Sequence, residues 1–212
     1  MCSESDHLEP LVQETGLTTF AGGPFSQSQL DRRSQRPRRT CLDAAFWAAV
    51  TRYPPMRYWL MKSEPDVFSI DDLGRTRGKT TAWWGVRNYQ ARNFMRDQMQ
   101  LGDQAFFYHS SCPQPGVIGI VQVCTLAYPD ATQFDPTGEY YDPAATLRQP
   151  RWFNVDVKLV RKTRLLQIQQ MRQHPELADM RVLQKGNRLS ITPVEARHWK
   201  FVVKLLDKPP RN

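Results

Sequence analysis

Tyr58-Trp-Leu-Met-Lys-Ser-Glu-Pro65 is the stretch from which the fold of this chain reads outward. Alternation puts Tyr58, Leu60 and Lys62 on one face and Trp59 and Met61 on the other, so it reads as a strand with both faces in use. Pro65 biases Glu64 toward an extended backbone, which ends the strand in an ordered Ser63-Glu64-Pro65 corner.

Upstream of this strand the texture is different. Residues 1–55 carry Ala21-Gly-Gly-Pro24, Ser26-Gln-Ser-Gln29 and the basic run from Asp31 to Arg39, and no apolar period persists until Leu42 to Val50. Such a segment has little apolar surface to offset its ordering entropy and reads as a disordered extension. Its arginines Arg32, Arg33, Arg36, Arg38 and Arg39 have the alternative reading of a phosphate-binding arm. Because the domain-like pattern opens directly after Met56, translation is expected to begin there. Residues 56–212 read as the single folded domain.

Charge follows the same division. The 212 residues carry a formal net charge of +8, while residues 1–56 hold six Arg and six acids and residues 57–212 hold 23 basic and 15 acidic residues. The whole excess lies in the second part and favours a polyanion partner. No apolar run reaches about 18 residues, so no membrane-spanning helix is expected. The acids at the start exclude a signal peptide pattern. The expected location is the cytoplasm, on the nucleoid in a bacterium or in the nucleus of a eukaryote. Cys2, Cys41, Cys112 and Cys124 show no metal-ligand spacing and read as reduced thiols, with no metal and no cofactor expected.

Downstream, Ser69-Ile-Asp-Asp72 reads as a capped helical turn and Thr80 to Trp83 as a short strand. Asn88 caps a helix to about Met99, with Ala91, Phe94, Met95 and Met99 on one stripe. Strands follow at Gln104 to His109, Val117 to Leu126 and Trp152 to Val160. Between the last two, the polar stretch Tyr128 to Pro150 is a long loop, of a length that often serves function. Leu165 to Arg172 reads as a helix. Leu189-Ser-Ile191 reads as a short strand, and Thr192-Pro-Val-Glu195 as the capped start of a final helix whose stripe is Ala196, Trp199, Val203 and Leu206. Strands outnumber helices without regular alternation. The expected class is α+β, with strands curling into a small barrel flanked by helices.

Enzyme signatures are easily excluded. There is no phosphate-cradling glycine loop, no His-Glu-x-x-His and no deaminase pattern. Tyr108-His109-Ser110-Ser111-Cys112 sets nucleophiles beside a histidine, but neighbours on a strand face opposite ways, so no catalytic residue is assigned. What stands out is polar groups interleaved with aromatics in Lys62 to Pro65, Trp83 to Tyr89 and Phe107 to Ser110. Aromatic walls suit the π face of a base, and short polar groups suit its edge. Spacing alone leaves open the alternative that these rings are core and the polar groups caps. Arg87, Arg92 and Lys62 are candidates for phosphate contacts, and the helix start at Asn88 for a second anion site. Trp59, Phe94 and Trp199 read as core.

Tyr58 to Pro65, Trp83-x-Gly-Val-Arg-Asn-Tyr-Gln-Ala-Arg-Asn93, Phe106-Phe-Tyr-His-Ser110 and Leu189-Ser-Ile-x-Pro193 together resemble the EVE domain of the thymocyte nuclear protein family and its bacterial relatives. The similarity spans about Arg57 to Leu206. It implies a PUA-like fold, a curved and mostly antiparallel barrel, and a pocket for a flipped modified base, notably 5-methylcytosine and other modified cytosine in DNA. The matching base-binding positions are Lys62, Ser63, Trp83, Asn88, Tyr89, Tyr108, His109, Ser110, Leu189 and Ser190. The resemblance departs from the usual pattern at Trp84, where relatives often carry an acid. The expected protein is a monomeric nucleic-acid-binding module. Plain RNA binding and, behind it, an enzyme on nucleotides with His109 as acid/base are the alternatives.

Overall fold

The opening strand β1 (Tyr58–Ser63) buries both of its faces, as its alternation requires. Trp59 and Met61 enter one hydrophobic cluster and Leu60 the other. The computed structural model describes residues 56–208, so the expectations for residues 1–55, including the arginine run, lie outside the described residues.

β1 lies between two neighbours. It runs parallel to β3 (Gln104–His109) and antiparallel to β8 (Ile191–Val194). β3 pairs with β4 (Gly116–Val123), β4 with β7 (Asp156–Gln167), and β7 with β2 (Thr80–Ala82), all antiparallel. The order β2-β7-β4-β3-β1-β8 is an open six-stranded sheet, and β5 (Tyr128–Pro129) with β6 (Phe153–Asn154) forms a separate small ladder. The α+β class is confirmed, but the expected barrel is not closed: no ladder joins the edge strands β2 and β8.

Local signals set several elements. Ser69 caps α1 (Ile70–Arg75), accepting from the Asp72 N–H at 3.1 Å while the Asp72 carboxylate accepts from the Ser69 N–H at 2.9 Å. Asn88 caps α2 (Tyr89–Asn93), which continues as a π-turn over Phe94–Gln98 and buries Ala91, Phe94 and Met95.

Two expectations yield to strand pairing. β7 does not stop at Val160 but runs to Gln167, because Leu166 and Gln167 stay in register with Val117 and Gly116 of β4. The helix α3 is therefore only Ile168–Arg172. Thr192 to Glu195 does not open the final helix either. Thr192 and Pro193 pair with Leu60 and Trp59 on β1, and α4 (Ala196–Asp207) starts behind Glu195, which makes no side-chain cap. Pro193 lacks an N–H, a loss an edge strand tolerates.

The two faces carry separate cores. α4 covers one, stacking Trp199 on Phe106 with centroids 4.1 Å apart and on Tyr58 at 4.5 Å. The other holds Trp59, Met61, Trp83 and Phe107 with Ile70 and Leu73 of α1 and Phe94 and Met95. Gly119 allows α1 this close: a Cβ there would lie 2.7 Å from Ile70 Cδ1. Among the described residues no helix is long and apolar enough to cross a membrane.

Candidate functional site

Where the sheet fails to close, it encloses a cavity of about 430 Å³. Its wall comes from both edges: Lys62, Ser63 and Glu64 at the end of β1, Thr81 and Ala82 of β2 with the following Trp83 to Arg87, and Ser190 just before β8. Val67, Phe68, Glu139 and Tyr140 complete it.

Each part has a local cause. The Trp83 N–H donates to the Val155 carbonyl at 2.8 Å and so prolongs the β2–β7 ladder by one residue. The Trp83 ring is only 7% exposed and meets Phe107 edge-on at 5.5 Å, so it is at once core and cavity wall. Gly85 then turns the chain at φ +78°. A Cβ there would also lie 3.0 Å from the Tyr140 ring, which explains a glycine at this point. Next to it Trp84 is 42% exposed and edge-on to Tyr140 at 5.5 Å.

The loop carrying Glu139 and Tyr140 is pinned from below. Arg87 Nη1 donates to Asp130 Oδ2 at 2.8 Å, Nε to the Tyr140 carbonyl at 2.9 Å and Nη2 to Thr132 Oγ1 at 2.9 Å. Asp130 is 1% exposed and also accepts from the Gly85 N–H at 3.2 Å. Burial pushes the Asp130 carboxyl up, but hydrogen bonds from Arg87, Thr132 and Gly85 outweigh it and hold the group below the usual carboxylate range.

Among the expected site residues, Lys62, Ser63, Trp83, Ser190 and Arg87 line this cavity. The Lys62 N–H donates to the Ser190 carbonyl at 2.8 Å, which ties the two wall segments together. Burial lowers the Lys62 pKa. Ser63 Oγ donates to the Phe68 carbonyl at 2.6 Å, leaving its oxygen free to accept. Ser110 stands behind Ser63, its N–H on the Ser63 carbonyl at 2.9 Å. Leu189 packs against the core cluster that contains Trp83.

Other expected residues lie elsewhere. Tyr108 is 3% exposed and belongs to the core under α4, where burial pushes its hydroxyl up to about 12. Its neighbour Phe107 points to the other face and backs Trp83 instead. His109 Nε2 accepts from the Ile70 N–H at 3.2 Å and lines a second cavity of about 380 Å³ with Asp71, Cys112 and Lys162. Burial lowers its pKa. Asn88 caps its helix, its Oδ1 accepting from the Gln90 and Ala91 N–H groups at 2.9 and 3.1 Å. Arg87, expected at a phosphate, anchors the loop through Asp130, Thr132 and the Tyr140 carbonyl.

Tyr89 and Arg92 belong to a neighbouring surface. Tyr89 is 48% exposed, stacks on Trp152 at 4.9 Å and bonds Arg151. Arg92 lies over the Tyr89 ring at 4.9 Å and donates to the Arg151 carbonyl at 2.6 Å. The residues that sequence reasoning missed are Phe68, Thr81, Glu139, Tyr140 and Asp130; Glu64 lay inside a block it singled out. Loop length flagged the segment of Glu139, Tyr140 and Asp130, but nothing local shows it returning to the cavity.

Of the Tyr108-to-Cys112 cluster, only His109 and Cys112 line one cavity. Tyr108 is in the core, His109 faces the second cavity, and Ser111 donates to Glu64 at 2.7 Å. Asp142 accepts from Trp152 Nε1 at 2.7 Å. Among the described residues no group of His, Cys, Asp and Glu side chains is arranged to hold a metal ion.

Comparison with known proteins agrees with this architecture. The family model described as the EVE domain matches residues 57–205. The chain belongs to the EVE-domain family. Thymocyte nuclear protein 1 of chicken and of human are each 42% identical to it over 171 residues, covering 72% of this chain and 70% and 75% of theirs. A crystal structure of human THYN1 in complex with 5-methylcytosine-containing DNA superposes with a TM-score of 0.69 at 42% identity, covering 73% of this chain and 99% of that one. A Pseudomonas syringae protein, 48% identical, superposes at 0.66 over 70% of this chain and 98% of its own. The matched span of this EVE domain contains every residue of the cavity wall.

Proposed function

We propose that this EVE domain is a nucleic-acid-binding module that takes a flipped, modified base into the cavity, with modified cytosine in DNA as the favoured ligand. The observation that carries the reading is the cavity in the gap of the sheet, walled by aromatic rings and by polar groups of both kinds. The DNA complex of the human relative supports it.

The chemistry of the wall fits a base edge. Lys62 is a donor, while Glu64, Glu139 and the Ser63 oxygen are acceptors. A cytosine edge offers an amino donor beside acceptor atoms, so it needs both. Trp83 supplies an aromatic wall, and base–aromatic stacking contributes about 1–3 kcal/mol. Flipping costs a few kcal/mol, so hydrogen bonds at the edge must supply the remainder and the selectivity. A methyl group adds only about 0.8 kcal/mol; discrimination for methyl alone is therefore modest, and a polar modification is read more sharply.

The test is a titration of the purified full chain with matched duplexes, plain and carrying one 5-methylcytosine, and with RNA of the same sequence. Tighter binding of the modified duplex supports the reading. Equal affinity for plain and modified duplexes would sink the base-reader role, and preference for unmodified RNA would replace it with RNA binding.

A further inference from the structure

We propose that Trp84 takes the place of the captured base in the duplex, inserting its exposed ring between the bases that the flipped nucleotide leaves unstacked. The proposal rests on the base-pocket reading and gives that site a residue that holds the duplex open.

Trp84 is singled out by where its ring lies. Of the five tryptophans among the described residues, Trp59, Trp83, Trp152 and Trp199 are buried, and Trp84 is 42% exposed. Of the large apolar side chains exposed among those residues, only Trp84 and Val67 line the cavity. They come from its two edges. Trp84 follows β2, and Val67 lies in the turn after β1, where the Val67 and Phe68 N–H groups both donate to the Glu64 carbonyl, at 3.0 and 2.8 Å. The Trp84 ring is placed by its contact with the Tyr140 ring, the centroids 5.5 Å apart and the planes at 73°. Tyr140 is itself on the cavity wall, packed against Gly85, so the Trp84 ring lies at the rim.

The ring is braced there. Arg87 lies over the Tyr140 ring at 5.3 Å and donates to the Tyr140 carbonyl at 2.9 Å. The residues on either side of Trp84 are hydrogen-bonded, Trp83 to the Val155 carbonyl and Gly85 to Asp130. Little ordering is therefore left to the moment of binding. A flipped base leaves its two neighbours without a stacking partner, and that loss opposes flipping. Apolar side chains inserted between base steps offset it. An indole offers the broadest flat surface of any side chain, and Trp84 belongs to neither core cluster. Valine has no flat face, which leaves Val67 as a lip of the cavity.

The test compares the full chain with Trp84→Ala, Trp84→Phe and Val67→Ala on a duplex carrying one 5-methylcytosine and on the modified strand alone. A single strand has no gap between base pairs to fill. Trp84→Ala is expected to weaken duplex binding about tenfold, the scale of one base–aromatic stack, and single-strand binding by no more than about twofold. Trp84→Phe should restore most of the duplex affinity, and Val67→Ala should leave it unchanged. The second readout is 2-aminopurine, a fluorescent base quenched by stacking, placed next to the modified base. In the saturated complex it should stay dim with the parent and brighten with Trp84→Ala, a change that a purely structural role would not produce. Unchanged duplex binding by Trp84→Ala, equal losses on duplex and single strand, or no brightening would each overturn the wedge. So would a duplex-specific loss in Val67→Ala without one in Trp84→Ala. If the parent prefers the modified over the plain duplex, these outcomes overturn the wedge alone and leave the pocket reading standing. If the parent shows no such preference, both fall.

Discussion

The two faces of the sheet use aromatic residues for different ends. Under α4, Tyr58 and Phe106 stack on Trp199, and Tyr108 is buried in the same cluster. On the other face, Trp59, Trp83 and Phe107 start as a similar core, but the missing ladder between β2 and β8 leaves Trp83 on the wall of a cavity. One face shows what aromatic alternation does when a helix covers it. The other shows that a core left open at one edge becomes a cavity with an aromatic ring in its wall.

Truncating the sealed face tests the contrast most strongly. Tyr108→Ala should cost about 3–5 kcal/mol of stability, as other large buried aromatics do. The affinity of the folded fraction should stay within about twofold of the parent. Chemical denaturation followed by titration below the midpoint separates the two; a large loss of affinity in the folded fraction would place Tyr108 in the site.

A second break falls on the loop that walls the open face. Asp130→Asn removes the charge that holds Arg87 and should cost about 2–3 kcal/mol, less than the roughly 3–5 of a fully buried pair because Arg87 keeps some water. The native Asp130 pKa is depressed, so its stabilisation is complete above the unfolded value of about 4 and fades as the pH falls through the lower folded value. The parent should therefore lose stability on acidification below about pH 4, and Asp130→Asn should flatten that limb. An unchanged acid limb would mean that the carboxylate is not what pins the loop.

Trp83→Phe keeps a ring in the core but shortens the wall. It should cost about 1–3 kcal/mol of base binding, the scale of one stacking contact, with a smaller change in melting temperature. The reverse pattern would make Trp83 core alone. At the rim, Trp84→Ala should change stability by no more than about 0.5 kcal/mol, as exposed positions do. Any weakening of duplex binding by this variant would then report a direct contact of the exposed ring.

How legible these regions are in the sequence follows from the range of the interactions involved. β1, β3, the Ser69 cap and the Asn88 cap were readable because alternation and capping act within a few residues. Tyr108, a base-binding position by the resemblance, lies in the core under α4, on the face opposite Phe107, as alternation applied from Phe106 requires. The aromatic-polar blocks marked Lys62, Ser63 and Trp83. They could not show that Arg87 is bound by Asp130, 43 residues further on. Thr192-Pro193 read as a helix start because the local cap is strong, and it became an edge strand because β1 offered it a ladder.

The sequence by itself determined the strand-rich class, the two-faced β1, the basic excess of residues 57–212 and the family-like blocks, all of which depend on neighbours along the chain. Only the tertiary structure decided that the sheet stays open between β2 and β8, that the Asp130 loop returns to wall the gap, and that Lys62 and Ser190 are tied together at its rim. Those features arise from pairing and ion contacts between distant segments, whose closeness no local pattern encodes.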